Sequence, residues 1–136
     1  MIKFGIPNIT KDELQATRNV LKSKWLTTGQ LVNDFEKNFN KYKNSNFATG
    51  VSSCTDALYM SLLALNLKKG DEVITSAMTF CSAVNVIENV GAKPVLVDID
   101  QRSLNIDPLK IEKKITKRTK AIIIVHFAGM PCDVEQ

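Results

Sequence analysis

The chain has 136 residues, 44% of them apolar and 24% charged, the makeup of an ordinary globular domain rather than a disordered or fibrous one. Its net charge of +4 is mild and its cations are dispersed, which argues against nucleic acid as a partner and is compatible with anionic small ligands. No apolar run nears the roughly 20 residues that span a bilayer. Met1-Ile2-Lys3 leads into a polar helix instead of a signal sequence. The odd set Cys54, Cys81 and Cys132, without a CxxC pair, indicates reduced thiols and a cytoplasmic location.

Ile6-Pro7-Asn8-Ile9 is predicted extended, because Pro7 disfavours helix at Ile6. Thr10-Lys11-Asp12-Glu13 has the form of a capping box, with Thr10 as N-cap. The helix it opens puts Leu14, Thr17, Val20 and Leu21 on one face and stops near Lys24. Trp25-Leu26-Thr27-Thr28-Gly29 reads as a loop in which Gly29 can take positive φ. A second helix, about 31–42, pairs Phe35 with Phe39, and Asn44-Ser45-Asn46 is a turn.

The pattern then becomes strand–helix alternation. Residues 47–65, FATGVSSCTDALYMSLLAL, read as a first strand, a turn of small polar residues and a long apolar helix closed by Gly70. Residues 72–76 give a second strand, and 80–90 a helix closed by Gly91. Residues 94–98 give a third strand, and Asp107-Pro108 starts another helix with Asp107 as N-cap and Pro108 at N1. Residues 121–125, apolar on both faces, read as a fully buried fourth strand. Such repetition predicts an α/β fold with a mostly parallel sheet sandwiched by helices.

Ligands of open parallel sheets bind beyond the carboxyl ends of the strands. The segments 52–55, 76–80, 98–100 and 126–129 are predicted to share that rim. The turn at Ser52-Ser53-Cys54-Thr55 is the most informative of them. Free N–H groups and the positive end of a helix dipole converge there, which makes it a candidate phosphate site.

Several segments, in order and spacing, resemble one family. They are WLTTG at residues 25–29 with Phe35-Glu36, SCTDAL at 53–58, GDEVI at 70–74 and MTF at 78–80. GAKPVLVDID at 91–100, LNID at 104–107, TKAIIIVH at 119–126 and GMPCD at 129–133 continue the series. From Ile6 to Asp133 the chain is similar to the front part of the DegT/DnrJ/EryC1/StrS family of pyridoxal-phosphate-dependent sugar aminotransferases. The resemblance implies a partial large domain of a fold-type I transferase, with residues 1–136 supplying amino-terminal helices and the first part of that domain.

It also implies roles. Cys54 and Thr55 stand where the family presents backbone N–H groups to the phosphate of pyridoxal 5′-phosphate, and the N–H of Asp56 follows. Phe80 matches the aromatic residue that stacks on the pyridine ring and fixes its tilt. Thr28, Gly29 and His126 are candidates for approaching substrate, although a helix-linking loop and a structural histidine explain them as well. Cys54 replaces the commoner glycine, and Asp56 sets a carboxylate beside the phosphate unless it turns aside to cap the helix.

The family's acidic motif, which pairs with the pyridine nitrogen, and its catalytic lysine have no counterpart in these residues. Transamination needs both, so the chain by itself is expected to be inactive and to be a fragment of a longer enzyme. The parent would move an amino group, usually from glutamate, to a nucleotide-linked ketosugar in polysaccharide or related glycan synthesis. The helix over residues 55–67 leaves little polar face, and with the family's habit this implies a homodimer. A related sugar dehydratase, with histidine for lysine, and a non-catalytic phosphate-binding α/β module are the alternatives. No metal site and no membrane partner are expected.

Overall fold

The computed structural model describes residues 5–135; Met1-Ile2-Lys3 lies outside them. The chain divides into two compact units, Met1–Gly50 and Val51–Gln136.

The first unit is built on α1 (Lys11–Ser23) and α2 (Gln30–Lys43). The capping box forms as predicted. Thr10 accepts the Asp12 N–H at 3.2 Å, and the Glu13 carboxylate takes the Thr10 N–H at 2.6 Å. Lys24 ends α1 and Asn44 ends α2, both in the left-handed region. The Phe35 and Phe39 rings lie 6.1 Å apart. Neither helix buries a single residue within the described structure. Gly29 differs from expectation: its φ is −169°, extended backbone open to any residue. A Cβ there would stand 2.6 Å from Trp25 Nε1, so packing against the indole, not a left-handed turn, calls for glycine.

The second unit holds a three-stranded parallel sheet of β1 (Glu72–Ser76), β2 (Lys93–Val97) and β3 (Thr119–Ile123), in the order β2-β1-β3. Ile74 pairs with Val95 and Ile122 across the sheet. Successive side chains alternate between faces. On one face Val73 and Ile123 meet Leu62 of α3 (Cys54–Ala64) and Ala83, Val86 and Ile87 of α4 (Ser82–Asn89). On the other, Ile74 and Val97 meet Ile106 and Cys132, with Ile111 of α5 (Pro108–Glu112) alongside. Asp107 caps α5 by accepting the Leu109 N–H at 3.0 Å, with Pro108 in the first turn, as predicted.

Three further expectations are corrected. No strand forms over residues 47–51 among the described residues. Phe47 is 90% exposed, and no neighbouring strand offers a ladder to that segment. Gly70 does not close α3, which ends at Ala64 with Leu65 as its C-cap. It takes φ 96° in the turn where the Asp71 N–H meets the Lys68 carbonyl at 2.9 Å. Finally, β3 is not buried on both faces. It is an edge strand here, and Ile122 and Ile124 stay exposed while the central β1 is buried throughout. Helix α3 buries Leu62 and leaves Met60 and Leu63 exposed.

At the amino-terminal end of the sheet, the buried Glu72 carboxylate receives Arg118 Nη2 at 2.7 Å and the Thr116 hydroxyl at 2.7 Å. Thr116 first and Arg118 second hold its carboxyl below the usual glutamate range.

Candidate cofactor-phosphate site

The strands are parallel, so all three end on one rim. Residues 65–71 join the end of α3 to the start of β1, and Leu62, near that end of the helix, shares a core cluster with Val73, near the start of the strand.

Ser53 is the N-cap of α3, in extended backbone, and its Oγ accepts the Asp56 N–H at 3.1 Å. The Ala57 N–H begins the helical series on the Ser53 carbonyl. The Cys54 and Thr55 N–H groups have no protein acceptor among the described residues, as first-turn amides of a helix have none of their own. Of the three predicted phosphate donors, two are therefore available. The third, the Asp56 N–H, is already committed to Ser53.

The Asp56 side chain turns back on the same corner. Its Oδ2 accepts the Ser52 hydroxyl in a short contact and the Ser53 hydroxyl at 2.8 Å. Those two bonds, Ser52 first, hold its carboxyl below the ordinary aspartate range. Its negative charge is thus spent on two hydroxyl donors, and both hydroxyl protons are spent on it. Cys54 is exposed, and Thr55 is half-buried.

Phe80 lies in the segment between β1 and α4 and is 76% exposed, so its ring is not sealed in the sheet. That segment is held at its start, where the Ala77 N–H meets the Val97 carbonyl at 2.8 Å and the Met78 N–H meets Ser76 Oγ at 3.1 Å.

His126 lies just beyond β3 and is exposed. Its Nδ1 accepts the Cys132 N–H at 3.0 Å, which gives the imidazole a structural role in closing the 126–132 loop. Sequence reasoning missed the residue that shapes this loop. Asn105 is 3% exposed, donates to the Met130 and Pro131 carbonyls at 3.0 Å each, and accepts the Phe127 N–H at 2.9 Å. The signal was an amide residue between the apolar Leu104 and Ile106. Thr28 and Gly29 belong to the first unit, where the Thr28 carbonyl receives Trp25 Nε1–H at 3.0 Å. No group of side chains suited to a metal ion occurs among the described residues, and no described helix is long and apolar enough to cross a membrane.

The corner has the donors to take a phosphate group. Two unpaired amides at the start of an eleven-residue helix form an anion corner, with a small side chain at 54 and an uncovered aromatic ring elsewhere on the same unit.

Comparison with known proteins places the chain in a family. The chain is 46% identical over 134 residues to spore coat polysaccharide biosynthesis protein SpsC of Bacillus subtilis, covering 98% of this chain and 34% of that protein. Streptococcus pneumoniae Spr1654, which carries the name of a sugar aminotransferase and was solved in a PLP form, superposes with a TM-score of 0.90 at 39% identity. That match covers 97% of this chain and 34% of the other. The Escherichia coli GDP-4-keto-6-deoxy-D-mannose-3-dehydratase with bound hydrated PLP superposes at 0.89 and 33% identity, covering 96% and 35%. The chain thus spans about a third of the length of the relatives it matches. Its α/β fold, with a three-stranded parallel sheet, matches part of the fold-type I PLP aminotransferases. With residues 7–136 matching the family profile, the chain belongs to the DegT/DnrJ/EryC1/StrS aminotransferase family.

Proposed function

We propose that residues 1–136 are the amino-terminal helices and phosphate-binding part of the large domain of a homodimeric, cytoplasmic, PLP-dependent enzyme. That enzyme moves an amino group, usually from glutamate, to a nucleotide-linked ketosugar during glycan synthesis. The observation that carries the reading is the pair of acceptor-free amides at Cys54 and Thr55. They bind the phosphate through charge-assisted hydrogen bonds. Asp56 holds Ser52 and Ser53 in place and so keeps the corner open. Phe80 orients the ring by stacking. Bound pyridoxal phosphate supplies the electron sink that transamination requires. Thr28 and Gly29 contribute to substrate binding.

The chain by itself has no amine-transfer activity in this reading, because a lysine to bond the cofactor and a carboxylate for the ring nitrogen come from elsewhere in the enzyme. The likeness to the E. coli dehydratase, at nearly the same TM-score as the aminotransferase, keeps a sugar dehydratase as the second reading. The lower identity, 33% against 39%, favours the aminotransferase.

Calorimetric titration of the chain with pyridoxamine 5′-phosphate tests the site. This probe has no aldehyde to react with surface lysines. Saturable binding is expected, at least about tenfold weaker for phosphate-free pyridoxamine. Equal affinity for the two would overturn the phosphate assignment. Turnover of glutamate and a nucleotide-linked ketosugar by the chain with added cofactor would refute its inactivity.

A further inference from the structure

The loop after β3 carries an arrangement that the phosphate corner does not use. Asn105 lies in a different segment, just before α5, and is almost fully buried. Its three hydrogen bonds all go to the backbone of residues 127–131: two donated to the Met130 and Pro131 carbonyls, one accepted from the Phe127 N–H. An amide side chain buried this way is costly unless every bond is made. Here each is made to one loop, so Asn105 spans that loop from end to end.

The loop needs such a clamp. Within it Ala128 has φ 49° and Gly129 φ 84°, and left-handed backbone at a non-glycine residue persists only when its surroundings impose it. Clamping 127–131 also fixes what flanks it. Cys132 is buried, and its N–H meets His126 Nδ1 at 3.0 Å. An Nδ1 that accepts leaves the neutral ring's proton on Nε2. His126 Nε2 has no partner among the described residues, and the residue is exposed beyond the carboxyl end of β3, where parallel sheets bind ligands.

We propose that Asn105 is a positioning residue: through the 127–131 loop it holds His126 as a fixed Nε2–H donor toward an oxygen of the phosphorylated pyridine ligand. The proposal rests on the reading of the phosphate corner given above. It extends that reading to the segment that follows β3, the strand beside β1.

The test uses the isotopically labelled chain with pyridoxamine 5′-phosphate as probe, at a pH where the imidazole is neutral. In the unsubstituted chain, two-bond proton–nitrogen spectra are expected to show His126 as the Nε2–H tautomer alone. Its Nε2 signal is expected to move on saturation with the probe. In Asn105→Ala the tautomers mix and probe affinity falls about three- to tenfold, the worth of one neutral hydrogen bond. The shifts of the Cys54 and Thr55 amides at saturation stay as they were. His126→Ala loses the same factor, and the double variant loses no more, because Asn105 acts through His126. An immobile Nε2 signal in the unsubstituted chain overturns the proposal, and that arm needs no variant to fold. Losses that multiply in the double variant also overturn it. Absence of probe-induced shifts at Cys54 and Thr55 in the unsubstituted chain would instead sink the phosphate corner, a separate result.

Discussion

Replacing Ser53 by alanine probes the corner that organises the site. The substitution deletes the oxygen that accepts the Asp56 N–H at 3.1 Å and the hydroxyl that donates to Asp56 Oδ2 at 2.8 Å. Ser53 is exposed, so no cavity forms and water reaches the freed groups. The cost is then that of a lost N-cap, about 1 kcal/mol within a range of roughly 0.5–2. In a domain of this size that lowers the melting temperature by about 4 °C. Urea unfolding at neutral pH should show a lower midpoint with unchanged slope, since the surface exposed on unfolding is the same. Ser53→Thr and Ser53→Asn should recover most of the loss, because both side chains cap. If alanine and threonine are equally stable, Ser53 is not acting as a cap and the geometry of the corner is misassigned.

Gly29→Ala should displace the indole of Trp25, the single tryptophan, because the new Cβ would stand 2.6 Å from Nε1 and an exposed side chain moves more cheaply than backbone. The cost is the Trp25–Thr28 hydrogen bond, about 0.5–1.5 kcal/mol, with a change in fluorescence emission; an unmoved spectrum with unchanged stability would refute the contact. Glu72, held below its ordinary value by Thr116 and Arg118, contributes stability that is complete above the unfolded glutamate value, about 4.3, and is lost as pH falls through the lower folded value. Urea midpoints from pH 7 downward should therefore fall below about pH 4.3 more steeply for the unsubstituted chain than for Glu72→Gln; parallel curves would refute the pairing.

Local chemistry was legible wherever it is settled within a few residues. Thr10 with Glu13, and Asp107 with Pro108, act as caps because both partners lie in one turn. Residues 72–76 were legible as a strand because the β-branched run Val73-Ile74-Thr75 follows the turn residues Gly70-Asp71. The rule that a strand apolar on both faces is buried failed at Ile122 and Ile124. They carry the pattern of a buried strand, but β3 has a neighbour on one side only in the described structure. Residues 47–51 failed for the related reason that β-branched composition forms no strand without a ladder to join. Gly29 was read through its conformational freedom, whereas its hydrogen atom is what matters, and that depends on where the Trp25 ring lies. At the site, the acceptor-free amides of Cys54 and Thr55 followed from helix geometry. The capture of the Asp56 amide by Ser53 Oγ was half visible in the capping pattern. Asn105 stood out as an amide between Leu104 and Ile106, but its clamp joins residues more than twenty positions apart, a pairing that local pattern does not carry.

The most direct measurement is the amide spectrum of the chain titrated with pyridoxamine 5′-phosphate. The account predicts that the Cys54 and Thr55 N–H resonances move farthest downfield, with aromatic signals of Phe80 shifting in step at one dissociation constant. Saturation that leaves those two amides in place, or that moves lysine-rich surface segments instead, would contradict it.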